Sequence, residues 1–511
     1  MRVQESVLRR KVEETLARKV GRFDAAGRLE KIRAAAIQEV AERGFAAASM
    51  ANAAKRAGVS TATLYRDFKD KSALMIDGVA FVIPILAQEI SRPKDENDPV
   101  RLVARHLRAH GRMFADPYMG WLFRLYVMSD EIGLHDLKAH GRVGRAMTEA
   151  FWSARLSAFE EAGLLEPTHH GRVTNLLLGP VERRTILARL AFGEDDVRAP
   201  NLRDVANDAA RMLFSLFGTR AFFESRTREP DAAFWSAAGV QRRRSGAGLG
   251  VFAPDAPPTP PPEQMRVEPG GARFLAYAED VLSRPVNRLD AKARRKRIHV
   301  AALLEVRARG YDEATMAGVA KRAGVSTATL YREYAEKPAL FADALSFVSR
   351  HRVDPTDHIA ASDAPDAAMA EAVLSQGLTL ADPAMIWVHR ATMASEISGW
   401  GPIIKTARGV RDASEAQWMA MLSQLETKGA LGPCDRALKM NMLLGPTQRR
   451  SILASMLFGP ENDPGPDLPT SALASVEALF RLHGTADFWA ARHAREAAAM
   501  AHDQTGRALA G

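Results

Sequence analysis

The chain holds one cysteine in 511 residues, Cys434. That excludes an intrachain disulfide and a cysteine-built zinc site, and it suits a reducing compartment. Read alone, Cys434 is a small buried apolar residue. Long apolar runs are also missing. The longest, near Leu74–Ala87, is broken by Asp77 and Pro84 and reads as too short to span a bilayer. Met1–Val20 alternates charged and apolar residues and lacks the apolar centre of a signal peptide. No run alternates convincingly with period two, so no strand is assigned. No P-loop, nucleophile elbow, His-Glu-x-x-His or paired-carboxylate motif stands in a strand context, so no enzyme is expected. His169-His170 and the scattered histidines form no coherent metal set with Cys434, and no cofactor is expected. The absences describe a cytoplasmic all-α protein.

What is present is length, charge and repetition. The length exceeds what one core can organise and favours about three or four domains. The net charge is +9, and its location matters more than its size. Met1–Lys71 carries 16 Lys/Arg against 9 Asp/Glu, and Arg266–Lys337 carries 15 against 9, so the rest of the chain is net negative. Positive charge concentrated in two places is what a phosphate-facing surface requires.

Those two places contain one motif. Lys55–Arg66 reads K-R-A-G-V-S-T-A-T-L-Y-R, and Lys321–Arg332 repeats it letter for letter at an offset of 266 residues. The offset continues outside the motif. Ala115-Asp116-Pro117 matches Ala381-Asp382-Pro383. Met119, Trp121 and Arg124 match Met385, Trp387 and Arg390, and Trp152 matches Trp418. Leu177-Leu178-Gly179-Pro180 matches Leu443-Leu444-Gly445-Pro446. A whole unit, from near Val12 to Phe223, is therefore duplicated from near Ala278 to Trp489.

Within each unit the helices can be placed. Ile32, Ala36, Ile37 and Val40 form an apolar stripe over Arg28–Arg43, which Gly44 ends. Ser49 caps Met50–Ala57, Gly58-Val59 turns the chain, Ser60 caps Thr61–Asp67, and a fourth helix runs through Phe81. A helix-turn-helix reader places the start of its second short helix in the major groove. Here that start is Ser60, Thr61, Ala62 and Thr63, with Ser326, Thr327, Ala328 and Thr329 in the second copy. Small side chains let the backbone lie close to base edges. Tyr65, Arg66 and Lys71, with Tyr331, Arg332 and Lys337, suit phosphates, as do Ser49 and Thr315 at a helix start. Tyr65 could instead be core, and both serines are explained by capping alone. Beyond the readers, Val100–Phe114, Tyr118–Ser129, Gly144–Glu161, Val173–Phe192 and Leu202–Phe217 read as helices.

Arg28–Phe81 resembles the DNA-binding region of the TetR family of bacterial repressors, and Arg294–Phe347 resembles it again. The family pattern is A-x-x-A-G-V-S-x-x-T-L-Y-x-x-F-x-x-K-x-x-L. Ala54–Leu74 fits it, and Ala320–Leu340 fits with Tyr334 for the Phe68 position. The resemblance implies an all-helical homodimer on a palindromic operator, released when a small molecule enters the C-terminal domain. It implies pairing through the last two long helices, which map to Val173–Phe192 and Leu202–Phe217 and to Ala437–Phe458 and Ala472–Leu482. It also suggests effector contacts at Met113, Phe114, Trp121 and Arg124, and at Trp387, His389 and Arg390. A Met/aromatic stripe of this kind is otherwise ordinary core. Arg124 and Arg390 meet an acidic ligand or pair with Asp130 and Glu396. Family members carry one reader per chain; this chain carries two.

The expected layout is two repeated units, each an N-terminal helix-turn-helix domain followed by an all-helical regulatory domain. The segments are a helical extension (1–27), reader (28–81), regulatory domain (82–240), Pro/Gly-rich linker (241–271), second extension (272–293), reader (294–347) and regulatory domain (348–511). The extensions either pack on the readers or reach DNA as basic arms. An extended linker of this composition spans about 3.1 Å per residue. The expected function is a DNA-binding regulator, a repressor released by a small effector. Its two readers form an intrachain pseudo-dimer on an inverted-repeat operator in double-stranded DNA, with further self-association open. The alternatives are a scaffold whose readers no longer bind DNA, and a chain dimer with four readers.

Overall fold

Side-chain oxygens start most of the helices. The structure, a computed structural model, describes residues 6–21, 23–92, 96–129, 133–134, 136–187, 201–244, 250–257, 272–285, 290–350, 356–381, 386, 389–390, 401–433, 435–454, 457 and 468–509. These contain 23 α-helices and no strand; two isolated bridges, Leu165 with Gly218 and Leu431 with Gly484, lie at equivalent places in the two units. The first unit runs α1 (Val7–Ala17), α2 (Ala25–Ala47), α3 (Met50–Ala57), α4 (Thr61–Asp67), α5 (Lys71–Ser91), α6 (Pro99–Phe114), α7 (Pro117–Met128), α8 (Leu137–Glu161), α9 (His170–Glu182), α10 (Leu202–Phe217), α11 (Arg220–Ser225) and α12 (Ala232–Arg244). The second runs α13 (Ala272–Ser283), α14 (Ala291–Glu313), α15 (Met316–Ala323), α16 (Thr327–Glu333), α17 (Lys337–Arg350), α18 (Asp357–Ala361), α19 (Pro365–Ala381), α20 (Gly401–Thr427), α21 (Arg436–Gln448), α22 (Leu468–His483) and α23 (Ala486–Leu509).

The N-terminal extension packs. Leu8 and Val12 of α1 are fully buried in the first reader's core. Ser6 caps α1 and donates to the Asp116 carboxylate at 2.8 Å, and the Leu8 N–H reaches the same carboxylate at 3.1 Å. Asp116 also caps α7. The first copy of the Ala-Asp-Pro motif thus anchors a helix start and, through it, the extension. Ala278 and Val281 of α13 are buried likewise.

Two expectations are revised. The reader's fourth helix does not stop at Phe81: α5 is 21 residues long and continues past Pro84 into the regulatory domain. It is long and apolar enough to cross a membrane by length and composition, contrary to the reading of Leu74–Ala87 as too short; here it packs on α2, α6 and α8. The segment expected as an extended linker also begins structured. Its arginines Arg242–Arg244 end α12, and Phe252 is buried, its carbonyl accepting from the His169 N–H at 2.8 Å. Arg172 holds the Val251 carbonyl at 2.7 Å. Residues 258–271 lie outside the described residues.

The halves meet along α9 and α21, with α10 and α22 beside them. Gly179 and Gly445 make the crossing possible. A Cβ on Gly179 would lie 2.4 Å from the Pro446 nitrogen, and one on Gly445 would lie 2.5 Å from the Pro180 nitrogen. Such closeness between backbones admits only glycine. Asn175 donates to the Pro446 carbonyl at 3.2 Å, and Asn441 donates to the Pro180 carbonyl at 2.8 Å. Past each proline the helix widens into a π-helical turn, Arg183–Leu187 and Arg449–Ala454. Leu438, Ala474 and Ala478 of the second half join the core of α6, α9 and α10, around fully buried Trp152 and Phe214. Ile452, Leu453 and Leu457 enter the continuous core that runs from the first reader through α7.

Candidate nucleic-acid interface

Each reader is two short helices held at a turn. Gly58 ends α3 at φ 71°, and Gly324 ends α15 at φ 67°, left-handed positions that favour glycine. The Val59 N–H then returns to the Ala54 carbonyl at 3.0 Å, and that of Val325 to Ala320 at 3.1 Å. Ser49 accepts from the Asn52 N–H and Thr315 from that of Gly318. Ser60 accepts from the Thr63 N–H at 3.0 Å and Ser326 from that of Thr329 at 3.1 Å, and each pair also joins its hydroxyls at 2.8 Å. These caps fix the start of α4 and α16.

Leu64 and Leu330 anchor those helices, fully buried. Thr61, Ala62, Arg66 and their counterparts Thr327, Ala328 and Arg332 are exposed, while Thr63 and Thr329 are half-buried. Tyr65 and Tyr331 are 55% and 54% exposed, which rules out the core alternative for Tyr65. Arg66 lies 3.0 Å from Asp67 at the surface. Lys71 also has a structural task within the reader. Its ammonium donates to the Phe45 and Ala46 carbonyls at 2.7 and 3.2 Å and lies over the Phe45 ring, so it terminates α2 first.

A brace behind the readers was not anticipated. Glu39, almost fully buried, accepts from Arg56 at 2.8 Å and from Asn52 at 2.9 Å, fixing α3 on α2. Glu305 accepts from Arg322 at 2.6 Å, with Gly318 in the asparagine's place. A second brace differs between copies. Arg33 makes a two-pronged pair with Asp77, both contacts 2.8 Å. The second copy replaces Arg33 and Phe68 by His299 and Tyr334. Tyr334 donates to Asp343 at 2.6 Å, and the His299 ring meets both groups at 2.6 and 3.0 Å. Burial acts to raise the Asp343 carboxyl, but these partners hold it below its ordinary value.

The regulatory domain of the first unit contains a cavity of about 440 Å³. Ile83, Leu86 and Ile90 of α5 line one side, Phe123 and Tyr126 of α7 another, and Leu453 and Leu457 of the second half a third. Phe114 lines it; Met113, Trp121 and Arg124 do not. Met113 is buried core, and Trp121 lies against Gly44 with Arg124 over its ring, where the reader meets the regulatory domain. Glu182 and Arg449, one from each half, pair at 2.8 Å beside the cavity, and His110 stands 3.2 Å from Glu182. Burial pushes the Glu182 carboxyl up, but the Arg449 charge and the His110 bond outweigh it and leave it below its ordinary value. Trp387, Asp130 and Glu396 lie outside the described residues. Burial lowers the His389 imidazole to about 4. The spacing of Ile83, Leu86 and Ile90 on one helix face could have signalled the cavity; the contribution of the other half could not be read locally.

This geometry defines a class, all-helical regulators that read duplex DNA through a helix-turn-helix. A model of bacterial regulatory proteins of the tetR family matches the chain twice, at residues 32–77 and 298–344. The chain is a tandem-duplicated TetR-like protein and a DNA-binding transcriptional regulator. It is similar to a protein of Mesorhizobium loti MAFF303099 assigned to TetR-family regulators and solved at 1.54 Å. The identity is 20%, over 38% of this chain and 97% of that one, with a TM-score of 0.33. No curated protein matches.

Proposed function

We propose that the chain is a cytoplasmic repressor that works as an intrachain pseudo-dimer on an inverted-repeat operator. The observation that carries this reading is the reciprocity of the joint. Asn175 bonds the Pro446 carbonyl and its counterpart Asn441 bonds the Pro180 carbonyl. Residue i meeting j while j meets i is the mark of a two-fold interface. Two identical recognition helices related in this way suit two near-identical half-sites about one helical turn, or a small multiple, apart. Ser49, Ser60, Thr61, Ala62, Thr63, Tyr65 and Arg66, with their second-copy counterparts, form the contact set. Lys71 and Lys337 complete it.

An apolar effector entering the 440 Å³ cavity releases the operator. It presses on the C-terminal half of α5, whose N-terminal half belongs to the reader. The test combines mass and binding. Sedimentation of the full chain at low concentration should give one copy of 55.8 kDa, and one such copy should protect both half-sites. A mass of two chains on the operator would favour four readers. Absence of any salt-dependent binding to duplex DNA would favour a scaffold.

A further inference from the structure

The two units differ where α6, α10 and α12 meet. In the second unit the corresponding junction is closed by ion pairs. Arg492 meets Glu477 at 2.7 Å and Asp366 at 3.5 Å, Arg481 meets Glu477 at 2.9 Å, and Arg495 meets Asp366 at 3.2 Å. In the first unit Val100 and Arg211 stand in the places of Asp366 and Glu477, and the junction opens into a cleft of about 830 Å³. Arg226 there is taken by Asp98, Arg211 by Asp231 and Arg105 by Glu96.

The remaining charges on the cleft walls are sorted by sign. Arg101 and Arg108 of α6 and Arg203 of α10 form one group. Burial, then Arg112, Arg203 and Arg105, lower the Arg108 pKa. Asp204 and Asp208 of α10, Glu229, and Asp435, the cap of α21, form the other. Burial raises Asp208 to about 6; Asp204 and Asp435 add to the rise and Arg211 opposes it. Like charges three or four residues apart destabilise a helix, as Arg101, Arg105 and Arg108 do on α6 and Asp204 and Asp208 do on α10, so each group is poised for a counter-charge. Trp235 lines the same cleft, its side chain buried and its indole N–H without a hydrogen-bond partner. In the second unit the positions of Arg101, Arg108, Arg203, Asp204 and Asp208 hold Ala367, Leu374, Pro469, Thr470 and Ala474.

We propose that this cleft binds a small zwitterion, its anionic group held by Arg101, Arg108 and Arg203 and its cationic group by Asp204, Asp208 and Asp435. Both signs remain on the walls, so an occupant of one charge would leave the opposite group unmet. Because Asp435 comes from the second half, the occupant bridges the halves. It is a site apart from the apolar cavity, with one copy per chain.

Isothermal titration of the full chain with ω-amino acids from 4-aminobutyrate to 8-aminooctanoate tests this, with hexanoate and hexylamine as single-charge controls. One member of the series should bind saturably, one per chain, with both controls at least tenfold weaker. Asp208→Asn and Arg203→Gln should each weaken that binding at least tenfold without lowering the thermal midpoint or the ligand-free DNA affinity. No saturable binding across the series would overturn the proposal. So would a single-charge control binding as tightly, or undiminished binding in both folded variants.

Discussion

Tyr65 and Arg66 are neighbours with different physics, and their substitutions separate the two. Both are exposed on α4, beside a buried Leu64. An arginine on a phosphate releases counterions, so Arg66→Ala and Arg332→Ala should each reduce the slope of log affinity against log salt by about one. Tyr65→Ala removes a neutral donor. It should weaken operator binding by about 1 kcal/mol with the slope unchanged. Gel-shift titrations between low and moderate salt distinguish the outcomes, and unchanged affinity in the Tyr65→Ala, Tyr331→Ala double variant removes both from the contact set. Titration offers a second residue-scale test. Burial lowers His389 to about 4; burial, with Lys439 adding, lowers His483 to about 4 against the opposing Glu426. The unfolded imidazole titrates near 6.5. Between about pH 4 and 6.5 the unfolded chain therefore binds more protons at these sites, and their contribution to stability rises with pH. Asp208, raised to about 6, acts with the opposite sign over roughly the same range. Urea midpoints should climb from pH 4 to 6.5, and His389→Gln with His483→Gln should flatten or reverse the climb.

At the scale of elements, the crossing of α9 and α21 makes a prediction against the usual propensity. Alanine for glycine inside a helix normally stabilises by about 0.5–1 kcal/mol. Gly144→Ala in α8, where an added Cβ meets nothing within 4 Å, should follow that rule. Gly179→Ala should break it, because the Cβ would fall on the backbone of the other half and neither helix can yield. A loss of about 1–3 kcal/mol in denaturant unfolding is expected; a gain like that of Gly144→Ala would mean the helices do not cross so closely. Elements also mark what was legible in the residues alone. Ser49, Ser60 and Gly58 could be placed because a cap or a turn is decided within three or four residues. The length of α5 could not, because Pro84 is a local argument for stopping that tertiary packing overrides. The cavity was half legible: Phe114 was named, whereas Leu453 and Leu457 reach it only because two segments far apart in the chain pack together. The exchange of Arg33 and Phe68 for His299 and Tyr334 was available from the 266-residue offset, but only contact distances make the three residues one unit.

At the scale of the molecule, the question is what the covalent connection adds to a joint that already has its own contacts. The Asn175 and Asn441 bonds and the Glu182–Arg449 pair would exist between two separate chains as well. A connection makes the second encounter intramolecular, at an effective concentration of about millimolar for a short flexible link. The expected consequence is operator affinity that does not depend on pairing in solution. A specific protease site placed within 258–271 tests this. Uncut protein at nanomolar concentration should fill an inverted repeat in one step. Cut protein, if its halves part at that concentration, should bind with lower affinity and a steeper dependence on concentration. An excess of the missing half should restore the uncut behaviour, because the reciprocal contacts remain. Cutting without effect at every concentration would mean that the joint alone holds the readers together, and that the fusion serves the divergence of the two regulatory domains rather than their pairing.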